Sequence, residues 1–248
     1  MTGDAATDAF LGGKMILKQF KRGHRIGTDA ILLAAAGRAA TSIADLGCGS
    51  GGAGIAAALR LPDAALVLAD KDRDALCLAD ENLAGNGLAG RGRCVEADFF
   101  APEKQRAAAG LAREAFDLVL TNPPFFEIGA ERASPDAKRH AAHRLEGGTL
   151  DDWIATAASV TRPGGALAIV HRADALGALL EAMAGRFGGI LLRFVHPREN
   201  ENAIRVLALA IKGSRAPLSV ARSLELHNAD GSFTAEAEAI NRGEARSI

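Results

Sequence analysis

Apolar residues in this chain come in short runs that stop abruptly, and the runs alternate with stretches of helical spacing. Ile43 to Leu46 leads through a Gly-rich turn into the helical pattern Ala53 to Leu61, and Ala65 to Ala69 leads through Asp70 into Arg73 to Leu83. Arg93 to Ala97 ends at Asp98 and precedes a charged helix near Pro102 to Arg113. Leu118 to Leu120, closed by Asn122-Pro123-Pro124, and Ala166 to Val170 are the fourth and fifth runs, with a helix at Thr149 to Val160 between them. Continuous apolar runs alternating with amphipathic helices predict a parallel sheet buried on both faces. After one more helix, Asp174 to Arg186, the runs Ile190 to Val195 and Ile204 to Ile211 flank only the polar segment His196 to Asn202. With no helix to cross over, that pair predicts an antiparallel hairpin, and the whole an α/β fold on a seven-stranded mixed sheet.

Two flanks lie outside this alternation. The first, Gly12 to Gly37, holds a basic strip of Lys14, Lys18, Lys21, Arg22, His24 and Arg25 before a helix at Ile31 to Ala36. The last, Lys212 to Ile248, offers a turn at Asp230-Gly231 and a short helix from Thr234 to Asn241. The expectation is one domain, 1–248, divided into the N-terminal strip and helix (1–40), the sheet-bearing fold (41–212) and a C-terminal tail (213–248).

Composition narrows the partners. Net charge is −1, so any polyanion must be met by local patches, and with 48% hydrophobic and 24% charged residues the chain reads as an ordinary globular protein. No apolar run is long enough to span a membrane, and Met1 to Phe10 lacks the pattern of a secretory signal, so a cytoplasmic location is expected. Cys48, Cys77 and Cys94 show no Cys-x-x-Cys spacing and read as reduced, buried thiols.

Chemistry concentrates where the runs end. Gly47-Cys48-Gly49-Ser50-Gly51-Gly52 between a strand and a helix lets backbone N–H groups approach a ligand, and Asp70 at the end of the next strand is placed to meet a ribose hydroxyl. Asp72 lies close by, but Asp70 directly ends the apolar run. In an open parallel sheet ligands bind beyond the carboxyl ends of the strands, so Asp70, Asp98 and Asn122 are expected to line one crevice, with Asp98 accepting from an exocyclic adenine amine or capping its own loop. Pro123 biases Asn122 toward an extended backbone and Pro124 ends the ladder, which holds the amide and the Phe125 ring in a fixed relation. The plainer alternative is a strand-ending turn with Phe125 and Phe126 in the core. Asp29 stands where a helix N-cap is expected; the other reading is that Thr28 or Asp29 faces a cofactor. Glu127 to Gly148, with Arg132, Lys138, Arg139, His140, His143 and Arg144, is either a phosphate-meeting loop or a solvated charged one. His140 and His143 lack a carboxylate or Cys partner at ligand spacing, and no metal is expected.

Gly47, Gly49 and Gly52 also satisfy a dinucleotide-binding pattern, but the chain has no tyrosine for the Tyr-Lys pair of short-chain dehydrogenases. Five βα units with a terminal hairpin resemble class I S-adenosylmethionine (AdoMet) methyltransferases, whose Rossmann-like fold has seven strands. Asp45-Leu46-Gly47-Cys48-Gly49-Ser50-Gly51 resembles their first motif, and Asn122-Pro123-Pro124-Phe125 the fourth motif of those acting on an sp² nitrogen. Leu17 to Phe20, Gly23 to Leu33 and His196-Pro197-Arg198 further resemble bacterial tRNA1(Val) adenine-N6 methyltransferases, with Phe125 where many relatives have Tyr. The resemblance implies AdoMet at Thr28, Asp29, Asp45, Gly47, Gly49, Gly51, Asp70, Asp98 and Asn122. It implies catalysis at Asn122, Pro123, Pro124 and Phe125, and tRNA at Lys18, Arg22, His24, Arg25, Arg132, Lys138, Arg139, Arg144 and Arg198. The alternatives are a protein glutamine methyltransferase of the release-factor type and a non-catalytic AdoMet-binding protein.

Overall fold

A computed structural model describes residues 5–21, 26–124, 144–145 and 148–248. The chain opens with a β-hairpin, β1 (Ala5–Phe10) and β2 (Met15–Phe20), followed by helix α1 (Thr28–Ala36). Alternating strands and helices then run β3 (Ser42–Leu46), α2 (Gly52–Arg60), β4 (Ala65–Asp70), α3 (Arg73–Gly85), β5 (Gly92–Glu96), α4 (Glu103–Ala109) and β6 (Phe116–Thr121). Two-residue strands β7 (Arg144–Leu145) and β8 (Gly148–Thr149) pair with each other and lead into α5 (Leu150–Val160), β9 (Thr161–Arg172) and α6 (Leu176–Met183). The long hairpin β10 (Phe187–His196) and β11 (Arg205–Lys212) follows, then β12 (Ser219–Val220), β13 (Leu224–Glu225) and α7 (Ala235–Asn241).

The long strands lie side by side in the order β10-β11-β9-β6-β3-β4-β5. Pairing is parallel from β9 to β5 and antiparallel where β11 meets β9 and β10. These are the seven expected strands, with the hairpin at one edge. The tail adds two more: β12 and β13 pair in parallel with β10, making a nine-stranded sheet whose outer edge is partly covered. All six residues of β6 are buried, as its position inside the sheet demands.

Two apolar clusters sandwich the sheet. One joins α1, α2 and α3 to Leu118, Leu120, Ala168 and Leu207; the other joins α5 and α6 to Val119, Leu167, Ile169 and Val206. Alternate residues of one strand thus feed opposite clusters, and each fully buried Leu or Ile contributes ~1.5–3 kcal/mol of transfer free energy.

Three expectations change. The first part of the basic strip belongs to a β-hairpin: Lys14 ends its turn and Lys18 lies on β2. Asp29 does not cap α1. Gly27 holds the N-cap position without a side-chain bond, and Asp29 sits in the first turn paired with Arg205 of β11, Nε to Oδ2 2.8 Å. Of the three cysteines, all free, Cys48 is buried, but Cys77 is exposed because it faces outward from α3. Among the described residues no helix is long and apolar enough to cross a membrane, and no His, Cys, Asp and Glu group could hold a metal ion.

Candidate active site

The carboxyl ends of β5, β4, β3 and β6 bring Asp98, Asp70, the glycine loop and Asn122 to one end of the sheet, in that order across it. The loop is tied to the neighbouring strand at both levels. The Gly47 and Cys48 N–H groups donate to the Ala69 carbonyl, at 2.9 and 3.0 Å, and the Gly49 N–H donates to Asp70 Oδ2 at 2.8 Å. Asp70 Oδ1 accepts from the Asp72 N–H at 3.0 Å. Each oxygen thus keeps capacity to accept a further hydrogen bond. Asp72 has a separate job: its side chain accepts from the Asp74 and Ala75 N–H groups as the N-cap of α3.

The loop glycines divide their roles. Gly49 has φ +54, and a Cβ there would meet nothing within 4 Å, so its backbone faces open space. Gly47 has φ +75, and a Cβ would lie 3.0 Å from the Trp153 ring, so this glycine makes room for the indole under the loop. Gly51 is the left-handed N-cap of α2 and faces the core side chains of Leu68 and Ile55.

Asp45 is buried beneath the loop at 2% exposure, and its Oδ2 accepts from the Gly54 N–H at 2.7 Å. Burial is the main influence raising its pKa to about 7; the Gly54 N–H works in the other direction, and the negative charge of Asp70 adds to the rise. Its visible work is holding α2 against β3.

At the end of β6, Thr121 Oγ1 donates to the Leu46 carbonyl at 2.8 Å and accepts from Trp153 Nε1 at 2.9 Å. Phe99 and Phe100 meet the same indole edge-on, with ring centroids 4.7 and 6.0 Å away. The floor under Asn122 and the root of the glycine loop are therefore one packed unit. Asn122 follows, and its Oδ1 is buried with no hydrogen-bond partner among the described residues. An orphaned buried acceptor costs ~1–3 kcal/mol, so native structures keep few of them.

Nearby, Asp98 is exposed and its Oδ1 accepts from the Phe100 N–H at 2.9 Å, which turns the loop after β5. Thr28 and Asp29 open α1, with Asp29 held by Arg205. Arg198 lies in the β10–β11 turn, at the same end of the sheet, paired with Glu201 at 2.7 Å. Lys18 pairs with Glu81 of α3 at 2.7 Å, both side chains about half exposed. The calls on Arg22, His24, Arg25, Phe125, Phe126, Arg132, Lys138, Arg139, His140 and His143 lie outside the described residues, as does the side chain of Arg144.

Sequence reading missed Asn82 of α3 and Asn86, the C-cap of that helix. Asn82 is 2% exposed, and it binds both the strand β2 and the glycine loop. The available signal was a polar residue on the buried stripe: Asn82 lies four positions after Leu78 and three after Ala79, both buried.

Comparison with known proteins places these features. The methyltransferase small domain family matches residues 22–190. A release factor glutamine methyltransferase of Chlorobaculum tepidum is 34% identical over 60% of this chain and 51% of its own length. A tRNA1(Val) (adenine(37)-N6)-methyltransferase of Porphyromonas gingivalis is 28% identical over 68% of this chain and 67% of its own. The chain thus spans about half the length of the release-factor relative. Among solved structures, a predicted O-methyltransferase from Agrobacterium tumefaciens superposes with a TM-score of 0.73, at 34% identity over 88% of this chain and 97% of that one. A T. thermophilus 16S rRNA methyltransferase in complex with AdoMet and guanosine shares the fold, with a TM-score of 0.58 at 21% identity over 84% of this chain and 50% of that one.

Proposed function

The chain belongs to the methyltransferase small domain family, and from that premise we propose that it transfers a methyl group from AdoMet to N6 of an adenine in tRNA. One observation carries the reading: the buried, unpartnered Oδ1 of Asn122 at the carboxyl end of β6, beside the glycine loop. An acceptor kept free in that place suits an incoming N–H group.

The residues present fit AdoMet. Gly49 leaves open space above the loop, and Asp70 retains acceptor capacity for the ribose hydroxyls. Gly47 and Gly51 shape the loop and Asp45 anchors it from below, and Thr28, Asp29 and Asp98 are the further proposed cofactor contacts. When bound, AdoMet supplies an activated methyl group on a sulfonium.

The chain's own part is orientation and charge stabilisation. Asn122 Oδ1 and the Pro124 carbonyl accept the two amine hydrogens, which draws the nitrogen lone pair out of conjugation and toward the methyl group. Pro123 and Pro124 hold these two acceptors in place, and Phe125 stacks on the base. As positive charge develops on nitrogen, both hydrogen bonds strengthen, and the methylated nitrogen, now acidic, then gives up its surplus proton to water. An oxygen nucleophile would instead need a base for its proton, which an amide oxygen does not provide. Lys18 and Arg198, together with Arg22, His24, Arg25, Arg132, Lys138, Arg139 and Arg144, are the proposed phosphate contacts.

Modification of a protein glutamine is the second reading, since that amide is also an sp² nitrogen and relatives with that activity are similar to this chain. The tRNA reading is favoured because the likeness to the P. gingivalis tRNA enzyme extends over more of both chains. The test is incubation with AdoMet and undermethylated tRNA, or with release factors, followed by mass analysis of nucleosides and peptides. N6-methyladenosine is the expected product. Methylglutamine with unmodified tRNA would replace this reading by the second.

A further inference from the structure

Two asparagines four positions apart meet the N-terminal hairpin, Asn82 on α3 and Asn86 at the C-cap of that helix. Asn82 Oδ1 accepts from the Lys18 N–H at 2.7 Å, and its Nδ2 donates to the Lys18 carbonyl at 2.9 Å. Asn86 does the same for Ile16, accepting from its N–H at 3.0 Å and donating to its carbonyl at 2.7 Å. Four helix residues rise ~6 Å and two strand residues ~6.8 Å, so the paired amides match alternate residues of β2 and stand in for a neighbouring strand.

The asparagines differ in one respect. The second Nδ2 hydrogen of Asn82 goes to the Ser50 carbonyl of the glycine loop, at 2.9 Å, whereas that of Asn86 goes back to the Asn82 carbonyl in the last turn of α3. Ser50 lies between Gly49, whose N–H is held by Asp70, and Gly51, whose left-handed backbone starts α2. The loop is therefore gripped on one side by Asp70 and on the other by Asn82. Burial of Asn82 excludes competing water, and its amide leaves no hydrogen free.

We propose that Asn82 is a positioning residue for the cofactor: by holding the Ser50 carbonyl while it seats β2, it sets the shape of the glycine loop and hence the affinity for AdoMet. The proposal rests on reading that loop as the AdoMet site. It also ties the strand bearing Lys18 to the cofactor loop through one side chain.

Comparison of Asn82→Ala with Asn86→Ala separates the loop contact from strand docking, because both substitutions remove two bonds to β2 and only the first frees Ser50. AdoMet binding is measured calorimetrically on the full chain without substrate, and kcat at saturating AdoMet on tRNA. Asn82→Ala is expected to raise the Kd for AdoMet about tenfold, as loss of a buried hydrogen bond does, with kcat nearly unchanged. Asn86→Ala is expected to leave Kd within about twofold of the wild type at a comparable loss of Tm. Asn82→Asp, which keeps the acceptor for the Lys18 N–H and loses both donors, gives the same readout if the alanine variant folds poorly. Equal weakening in Asn82→Ala and Asn86→Ala, or an unchanged Kd in both Asn82 variants, overturns the proposal. A wild type that takes up no AdoMet overturns the cofactor reading and this inference together. One that binds AdoMet but methylates no tRNA removes the substrate assignment and leaves the role of Asn82 standing.

Discussion

The two ends of strand β6 place a short polar side chain beside a buried apolar run and treat it in opposite ways. At the amino end, Asp117 is surrounded by donors: its Oδ2 accepts from the Thr41 N–H and hydroxyl, both at 2.7 Å, and from the Ser42 N–H at 3.1 Å. Its Oδ1 meets Arg162 at 2.6 Å. At the carboxyl end, Asn122 Oδ1 has no partner among the described residues. Saturating a buried carboxylate knits β3, β6 and β9 together; leaving a buried acceptor free gives up stability at the place where a substrate can supply the donor. Strand β6 is thus fully bonded at the end where nothing reacts and under-bonded at the proposed reaction centre.

The largest effect that would break this contrast is catalytic. Asn122→Ala should lower kcat by about 10²–10³ while leaving Tm and AdoMet affinity close to the wild type, since its Oδ1 holds no bond among the described residues. A large fall in Tm would mean that Asn122 is an ordinary structural turn residue.

The converse substitution, Asp117→Ala, should cost ~2–4 kcal/mol in denaturant unfolding by stranding the Thr41 and Ser42 donors, with kcat per folded molecule unchanged. Unchanged stability would show that the amino end is no more tightly bonded than the other.

The smallest effect is on pH, where Asp117 on β6 and Asp45 on the neighbouring β3 should slope in opposite directions. Burial alone would raise the pKa of Asp117, but the hydroxyl and N–H of Thr41, the charge of Arg162 and the Ser42 N–H outweigh it and hold the carboxyl below its usual 3.8. Its contribution to stability is therefore present above pH 3.8 and lost as pH falls through the folded-state value. Asp45, under the glycine loop, is raised from 3.8 to about 7, so the folded protein holds its proton more tightly than the unfolded chain. Stability from this group is greatest at low pH and declines as pH rises from 3.8 toward 7. Asp45→Asn should flatten that decline in stability curves taken across this range, and an unaltered curve would show that Asp45 does not titrate there.

What could be read in advance follows from the range of the interactions. The strand-end position of Asn122 was legible because two prolines after an apolar run end a strand by local chemistry alone, and that of Asp70 because it directly closes the run Ala65 to Ala69. Asp29 was misread as a cap because its partner, Arg205, stands 176 positions away and enters only through the packing of α1 against β11. The basic strip was not read as a hairpin, since its strand β2 finds its second neighbour in the side chains of α3. The polar residues on the buried stripe of α3 were visible, but a helical pattern does not reveal what a buried amide binds.

Local order along the chain, through period, turn residues and strand ends, determined the sheet, the crevice and the residues at its rim. Only the tertiary structure decided which polar atoms are satisfied. Hydrogen bonds at Asp117, Asp45 and Asn82, like the lack of one at Asn122 Oδ1 among the described residues, depend on groups brought together from distant segments, and burial then makes each bond, or its absence, energetically consequential.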